Sequence, residues 1–122
     1  MTNTPIIEYY TSGQIKKSGQ TINGQKEGHW IVYHENGNKY LDGHFDNNRH
    51  AGKWLEWYEN GQLAEDGEYV NGEYFVYNFW LETGEQILKN GTGKTVKRFG
   101  AGDVDIIEQY FENGKFLREK RI

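Results

Sequence analysis

Apolar positions fall in short runs, none with a sustained helical period, and small polar residues and glycine separate them. Trp30-Ile31-Val32-Tyr33 and Phe75-Val76-Tyr77-Asn78-Phe79-Trp80 are rich in aromatic and β-branched residues, the composition of strands. Turn signals bound the runs. One series ends at Gly13, Gly37, Gly61, Gly84 and Gly114. Its pairs Asn36-Gly37, Asn60-Gly61 and Asn113-Gly114 suit two-residue hairpin turns, where both central residues take φ > 0. A second series follows at Asn23-Gly24, Asn47-Asn48, Asn71-Gly72 and Asn90-Gly91. Each unit therefore reads as strand, tight turn, strand, looser turn, and about eleven strands follow.

The first-series glycines step by 24, 24, 23 and then 30 residues. A fixed period in the twenties marks a quasi-one-dimensional repeat architecture. The expected fold is all-β: an open single-layer antiparallel β-meander of about five 23–24-residue hairpin repeats. Residues 1–122 read as a single array. Its irregular fourth unit covers about 85–109, where the spacing stretches, read as a remodelled rung or a loop. A charged C-terminal cap covers about 110–122 and blunts the sheet edge.

Aligned on the turn glycine, the position four before it is Tyr9, Tyr33, Trp57, Trp80 and Tyr110. Seven before stand Ile6, Trp30, Trp54, Tyr77 and Ile107, and two before stand Thr11, Glu35, Glu59, Glu82 and Glu112. Gly19, Gly43 and Gly67 stand six after. Strand alternation puts the first column on the face of the glutamates and the second on the opposite face. Both faces then carry aromatics, as a sheet without a second layer requires.

Composition supports stacked rings over an aliphatic core: aromatics are 16% and all hydrophobics only 35%. The net charge of -4 disfavours nucleic acid or an anionic membrane as partner and favours a basic one. No cysteine is present, which excludes disulfides and thiolate zinc sites. No stretch is apolar enough to span a membrane, and no secretory leader is visible, so a cytoplasmic location is expected.

These columns resemble the bacterial variant of the MORN repeat. The match is closest at Trp57-Tyr58-Glu59-Asn60-Gly61-Gln62-Leu63, followed by Gly67, Tyr69 and Asn71-Gly72, and at the Gly-x-Trp elements Gly28-His29-Trp30 and Gly52-Lys53-Trp54. The resemblance extends from about Tyr9 to Leu117. It implies open hairpin repeats, protein binding and no catalytic residues. Many bacterial members look like antitoxin or immunity proteins that neutralise a toxin of the same cell.

Enzyme signals are absent from the sequence. Gly91-Thr92-Gly93-Lys94-Thr95 ends like a phosphate loop, but Leu88 stands where that motif needs its first glycine, so a turn is the better reading. His29, His34, His44 and His50 occupy four different phases of the repeat and form no ladder; no metal and no cofactor are expected. The expected function is toxin neutralisation by direct binding and occlusion. A scaffold or adaptor in a protein assembly, and a carbohydrate-binding module, are the alternatives. The candidate partner-binding residues are Tyr33, Glu35, Trp57, Glu59, Trp80 and Glu82, whose carboxylates suit a basic toxin domain and whose rings suit a binding hot spot. Residues that break the repeat form a second set: Phe75, Phe79, Arg98, Phe99 and Asp103-Val104-Asp105.

Overall fold

Eleven strands form in this computed structural model, which describes residues 2–122. They are β1 (Asn3–Tyr9), β2 (Ile15–Ile22), β3 (Gln25–Tyr33), β4 (Lys39–Asp46), β5 (Arg49–Trp57), β6 (Leu63–Val70), β7 (Glu73–Trp80), β8 (Gln86–Lys89), β9 (Thr92–Phe99), β10 (Asp105–Glu112) and β11 (Lys115–Arg121). All lie in one sheet in chain order, and every neighbour is antiparallel. The open all-β meander is the architecture expected from the sequence.

Except at Asn113-Gly114, a two-residue turn as expected, the two edges of turns are the reverse of that expectation. The tight turns are the pairs Asn23-Gly24, Asn47-Asn48, Asn71-Gly72, Asn90-Gly91 and Asn113-Gly114. Both residues of each have positive φ, as a two-residue hairpin requires. On the other edge, five-residue links at 10–14, 34–38, 58–62, 81–85 and 100–104 join the strands. In the links with Asn36-Gly37 and Asn60-Gly61 only the glycine is left-handed (φ 95° and 91°). Its N–H donates back to the first link residue, as in Gly37 N to His34 O at 3.0 Å. An Asn-Gly pair fits either turn, so link length decides the backbone.

The fifth unit therefore shifts phase. Gly114 belongs to the two-residue edge, and Asp103 (φ 54°) takes the place of the link glycine. Asp103 N donates to Gly100 O at 3.1 Å in the same pattern. Tyr110, Ile107 and Glu112 are thus not the counterparts of Tyr33, Trp30 and Glu35. The fourth unit is shortened rather than stretched: β8 has 4 residues where β2, β4 and β6 have 8.

Close packing of rings on backbone explains the glycine column. A Cβ on Gly19, Gly43 or Gly67 would overlap the ring of Trp30, Trp54 or Tyr74 on the next strand. The ring over Gly67 is thus Tyr74, not Tyr77. Strands β3 and β5 each carry a left-handed glycine, Gly28 and Gly52, that β7 lacks, so the ring arrives at a different phase.

Paired residues share a face. Trp54 faces Gly67, Glu56 faces Glu65, Glu65 faces Phe79, and Phe79 faces Leu88. This inner face holds the buried cluster Val76, Phe79 and Leu88, with Tyr74, Ile87 and Phe111 against it. Leu55, Asp66 and Asn78 are paired on the outer face. The inner face is concave. Lys97 of β9 bonds Glu65 of β6 at 2.7 Å and comes within 3.9 Å of Glu56 on β5. In a flat sheet β5 and β9 lie about 19 Å apart, beyond the joint reach of a lysine and a glutamate. The short β8 sits inside this curl, and β7 touches β9 across it.

Candidate functional site

The five-residue links are laced from one rung to the next. Tyr10 Oη donates to Tyr33 O at 2.6 Å, His34 Nε2 to Trp57 O at 2.8 Å, and Tyr58 Oη to Trp80 O at 2.6 Å. Asn36 and Asn38 both donate to Glu59 O (2.8 and 2.9 Å), and Asn60 donates to Glu82 O at 3.1 Å. The backbone at the candidate positions is therefore fixed by part-buried or exposed donors that bridge the rungs rather than left as free loop.

Alternation from Leu55 places Trp57 on the outer face, and Lys39 Nζ reaches both its ring (5.6 Å to the centroid) and Asp42 Oδ2 (3.2 Å) there. Tyr33, Trp57 and Trp80 are half-buried. Glu35, Glu59 and Glu82 are exposed and lie in three successive links. They stand at the edge of the sheet, not on a strand face, so strand alternation does not set their side. The structure brings the three rings and three carboxylates to one border of the sheet.

A second site lies inside the curl. Glu65 is only 6% exposed; its Oε1 accepts from Lys97 and its Oε2 from Tyr74 Oη at 2.7 Å. Glu56, opposite it, has Lys97 at 3.9 Å. Burial, and then the neighbouring Glu65, hold the Glu56 carboxyl above its ordinary range, with Lys97 opposing. Burial and then Glu82, Glu65 and Glu56 push the Tyr58 hydroxyl up to about 12, against Arg98. Burial, and after it Glu65 and Glu56, raise Tyr69 and Tyr74. Glu56, but not Glu65, lines an open groove of about 650 Å³, together with Tyr40, Tyr58, Phe79, Lys97, Arg98 and Asp103. Phe79, Arg98 and Asp103 come from the set that breaks the repeat. Trp57 and Glu82 of the candidate row also border the groove.

Sequence reasoning missed Glu56, Glu65 and Lys97. One signal was there: the equivalent cross-strand pair one unit earlier is Val32 with Leu41, so an apolar pair becomes two carboxylates.

Residues 26–47 and 52–71 match the family model of the MORN repeat variant. These two units are MORN-type repeats. Each matched MORN unit takes in a five-residue link, most of the strand before it and all of the strand after it. MORN repeats are generally interaction scaffolds for proteins or membranes, a non-catalytic repeat type. No curated protein and no solved structure matched the chain.

The remaining motifs belong to the scaffold of the sheet. The Gly-Lys-Thr segment opens strand β9, not a helix, and Lys94 Nζ bonds Glu108 Oε2 at 2.6 Å. Gly91 and Gly93 are required because a Cβ there would overlap the backbone of Gly114 and Ile87. His29 stacks on His44 at 4.9 Å and lies 2.5 Å from Asp42 Oδ1. Burial draws the Asp42 carboxyl upward, but its bonds to His29 and Lys39 outweigh this and hold it below the ordinary range. His50 packs among Phe45, Trp54 and Tyr69. Among the described residues, no three His, Asp or Glu side chains converge as a metal site would need.

Among the described residues, no helix is long and apolar enough to cross a membrane.

Proposed function

We propose that this MORN array is a protein-binding immunity protein or antitoxin that covers the working surface of a basic toxin domain. One observation carries the reading: Glu35, Glu59 and Glu82 stand exposed in successive links beside the half-buried rings of Tyr33, Trp57 and Trp80. The inter-rung hydrogen bonds hold this border rigid, so little conformational freedom is lost on docking. Large rings with low rotamer entropy suit a hot spot, and the carboxylates, in a chain of net charge -4, speed encounter with a cationic surface.

The inner-face rings disfavour the carbohydrate reading. Trp30, Phe45, Trp54 and Tyr69 meet edge to face and leave no continuous flat platform for sugars.

The test is capture from the native host with tagged chain and mass spectrometry after a moderate salt wash. A stoichiometric basic toxin supports the proposal. A harmless assembly component in its place supports the adaptor reading, and an empty bait refutes both.

A further inference from the structure

We propose that the inner groove receives one arginine side chain of the protein partner, with Glu56 as the carboxylate that meets it. The inference rests on the protein-binding reading and gives that partner a chemical requirement.

Charge is the first argument. Two carboxylates, Glu56 and Glu65, share one ammonium. Lys97 Nζ is 2.7 Å from Glu65 and 3.9 Å from Glu56, so Glu65 holds the lysine and Glu56 stays weakly paired. The Glu56 side chain is 23% exposed, enough for an incoming group to reach. Glu82, Asp103, Lys97 and Arg98 line the groove with Glu56, so three carboxylates meet two cations there, and one of those cations, Lys97, is already held by Glu65. Burial is the first cause of the raised hydroxyls of Tyr58, Tyr69 and Tyr74, and Glu56 and Glu65 add to it. An anionic phosphate would be repelled here, and a cation would relieve Glu56.

Shape and surface select among cations. Tyr40, which is exposed, and Tyr58, which is half-buried, line the groove and offer ring surface, whereas Phe79 is buried beneath the Lys97 ammonium. A guanidinium is planar, weakly hydrated and able to stack on rings while bonding a carboxylate through two N–H groups. An ammonium is a compact, strongly hydrated point charge that gains less from such walls. Glu82 belongs to both the exposed row and the groove border, so one partner segment passing over the link edge can meet both.

The experiment uses the full chain, isotope-labelled for NMR, titrated with N-acetyl-arginine amide and, separately, with its lysine and citrulline analogues. The expected result is a saturable shift confined to amides near residues 56–58, 79–82 and 96–98. Citrulline, which has the shape without the charge, should bind at least about tenfold more weakly, a difference of about 1.4 kcal/mol. Glu56→Gln should abolish the effect. Glu65→Gln is the second variant: it frees Lys97 to pair with Glu56 and should also weaken the arginine compound. Equal binding of citrulline, or undiminished binding to both variants, overturns the groove assignment. The two readings fail separately. Full-strength capture of a protein partner by Glu56→Gln overturns the groove alone. A saturable arginine titration beside an empty capture overturns the partner reading alone.

Discussion

Lys97 Nζ stands between two carboxylates that face each other across β5 and β6: 2.7 Å from Glu65 and 3.9 Å from Glu56. It is the only lysine or arginine within salt-bridge distance of either among the described residues. Lys97→Met should therefore lower stability by about 2 kcal/mol. That is less than the roughly 3–5 kcal/mol for breaking a fully buried pair, since solvent reaches the lysine, which is 37% exposed. Urea unfolding at pH 7 checks it. An unchanged midpoint would mean that the curl does not depend on this cation.

Glu56→Gln should act in the opposite direction. Burial and Glu65 hold the carboxyl of Glu56 above its ordinary 4.5, so the folded chain binds that proton more tightly than the unfolded chain does. Ionised Glu56 then costs stability above its folded pKa, and the cost is gone below the unfolded value. The glutamine variant should melt higher than the parent at pH 7, and the gap should close as pH falls to about 4. A variant that melts lower at pH 7 would show that Lys97 outweighs burial.

Gly43→Ala should cost about 1–3 kcal/mol, because the new methyl overlaps the Trp54 ring. The backbone there is not left-handed, so the effect is steric alone. Added to Trp54→Ala, it should cost much less than it does in the parent. Strictly additive thermal melts would rule the ring contact out.

Gly61→Val should destabilise by about 1–3 kcal/mol, since φ is 91° and a β-branched residue is strained there. Gly61→Asn should be milder, because asparagine tolerates positive φ. Equal melting of all three proteins would contradict the link geometry.

Glu59→Lys should leave the melting temperature nearly unchanged, since Glu59 is exposed and only its backbone carbonyl is engaged. It should weaken a basic partner severalfold, most strongly at low salt. Binding by surface plasmon resonance at two ionic strengths measures it.

The eleven strands were legible because glycine and asparagine punctuate the chain and the strand runs between them are aromatic. The class of each turn was less so. Asn36-Gly37 and Asn71-Gly72 look alike as letters, and only the count of residues between strands separates them. Gly114 was aligned with Gly37 for the same reason. Tyr77 was placed with Trp54 because the lost left-handed glycine of β7 leaves no mark in a column of aromatics. The contact of Glu56 with Lys97 could not be read from spacing, since it depends on a curvature that follows from a missing half-strand. Of the groove, the sequence offered Phe79, Arg98 and Asp103 as breaks in the pattern, without what they surround.

The shortened β8 also separates reach from recognition. The groove is assembled from β4 onward, whereas the units before it repeat at equal length and contact chiefly their neighbours. A duplication of residues 25–48 would lengthen the molecule by about 10 Å and leave Glu56, Glu65 and Lys97 in place. Descendants of such a chain could thus vary their span by unequal recombination while the charged pocket is inherited intact.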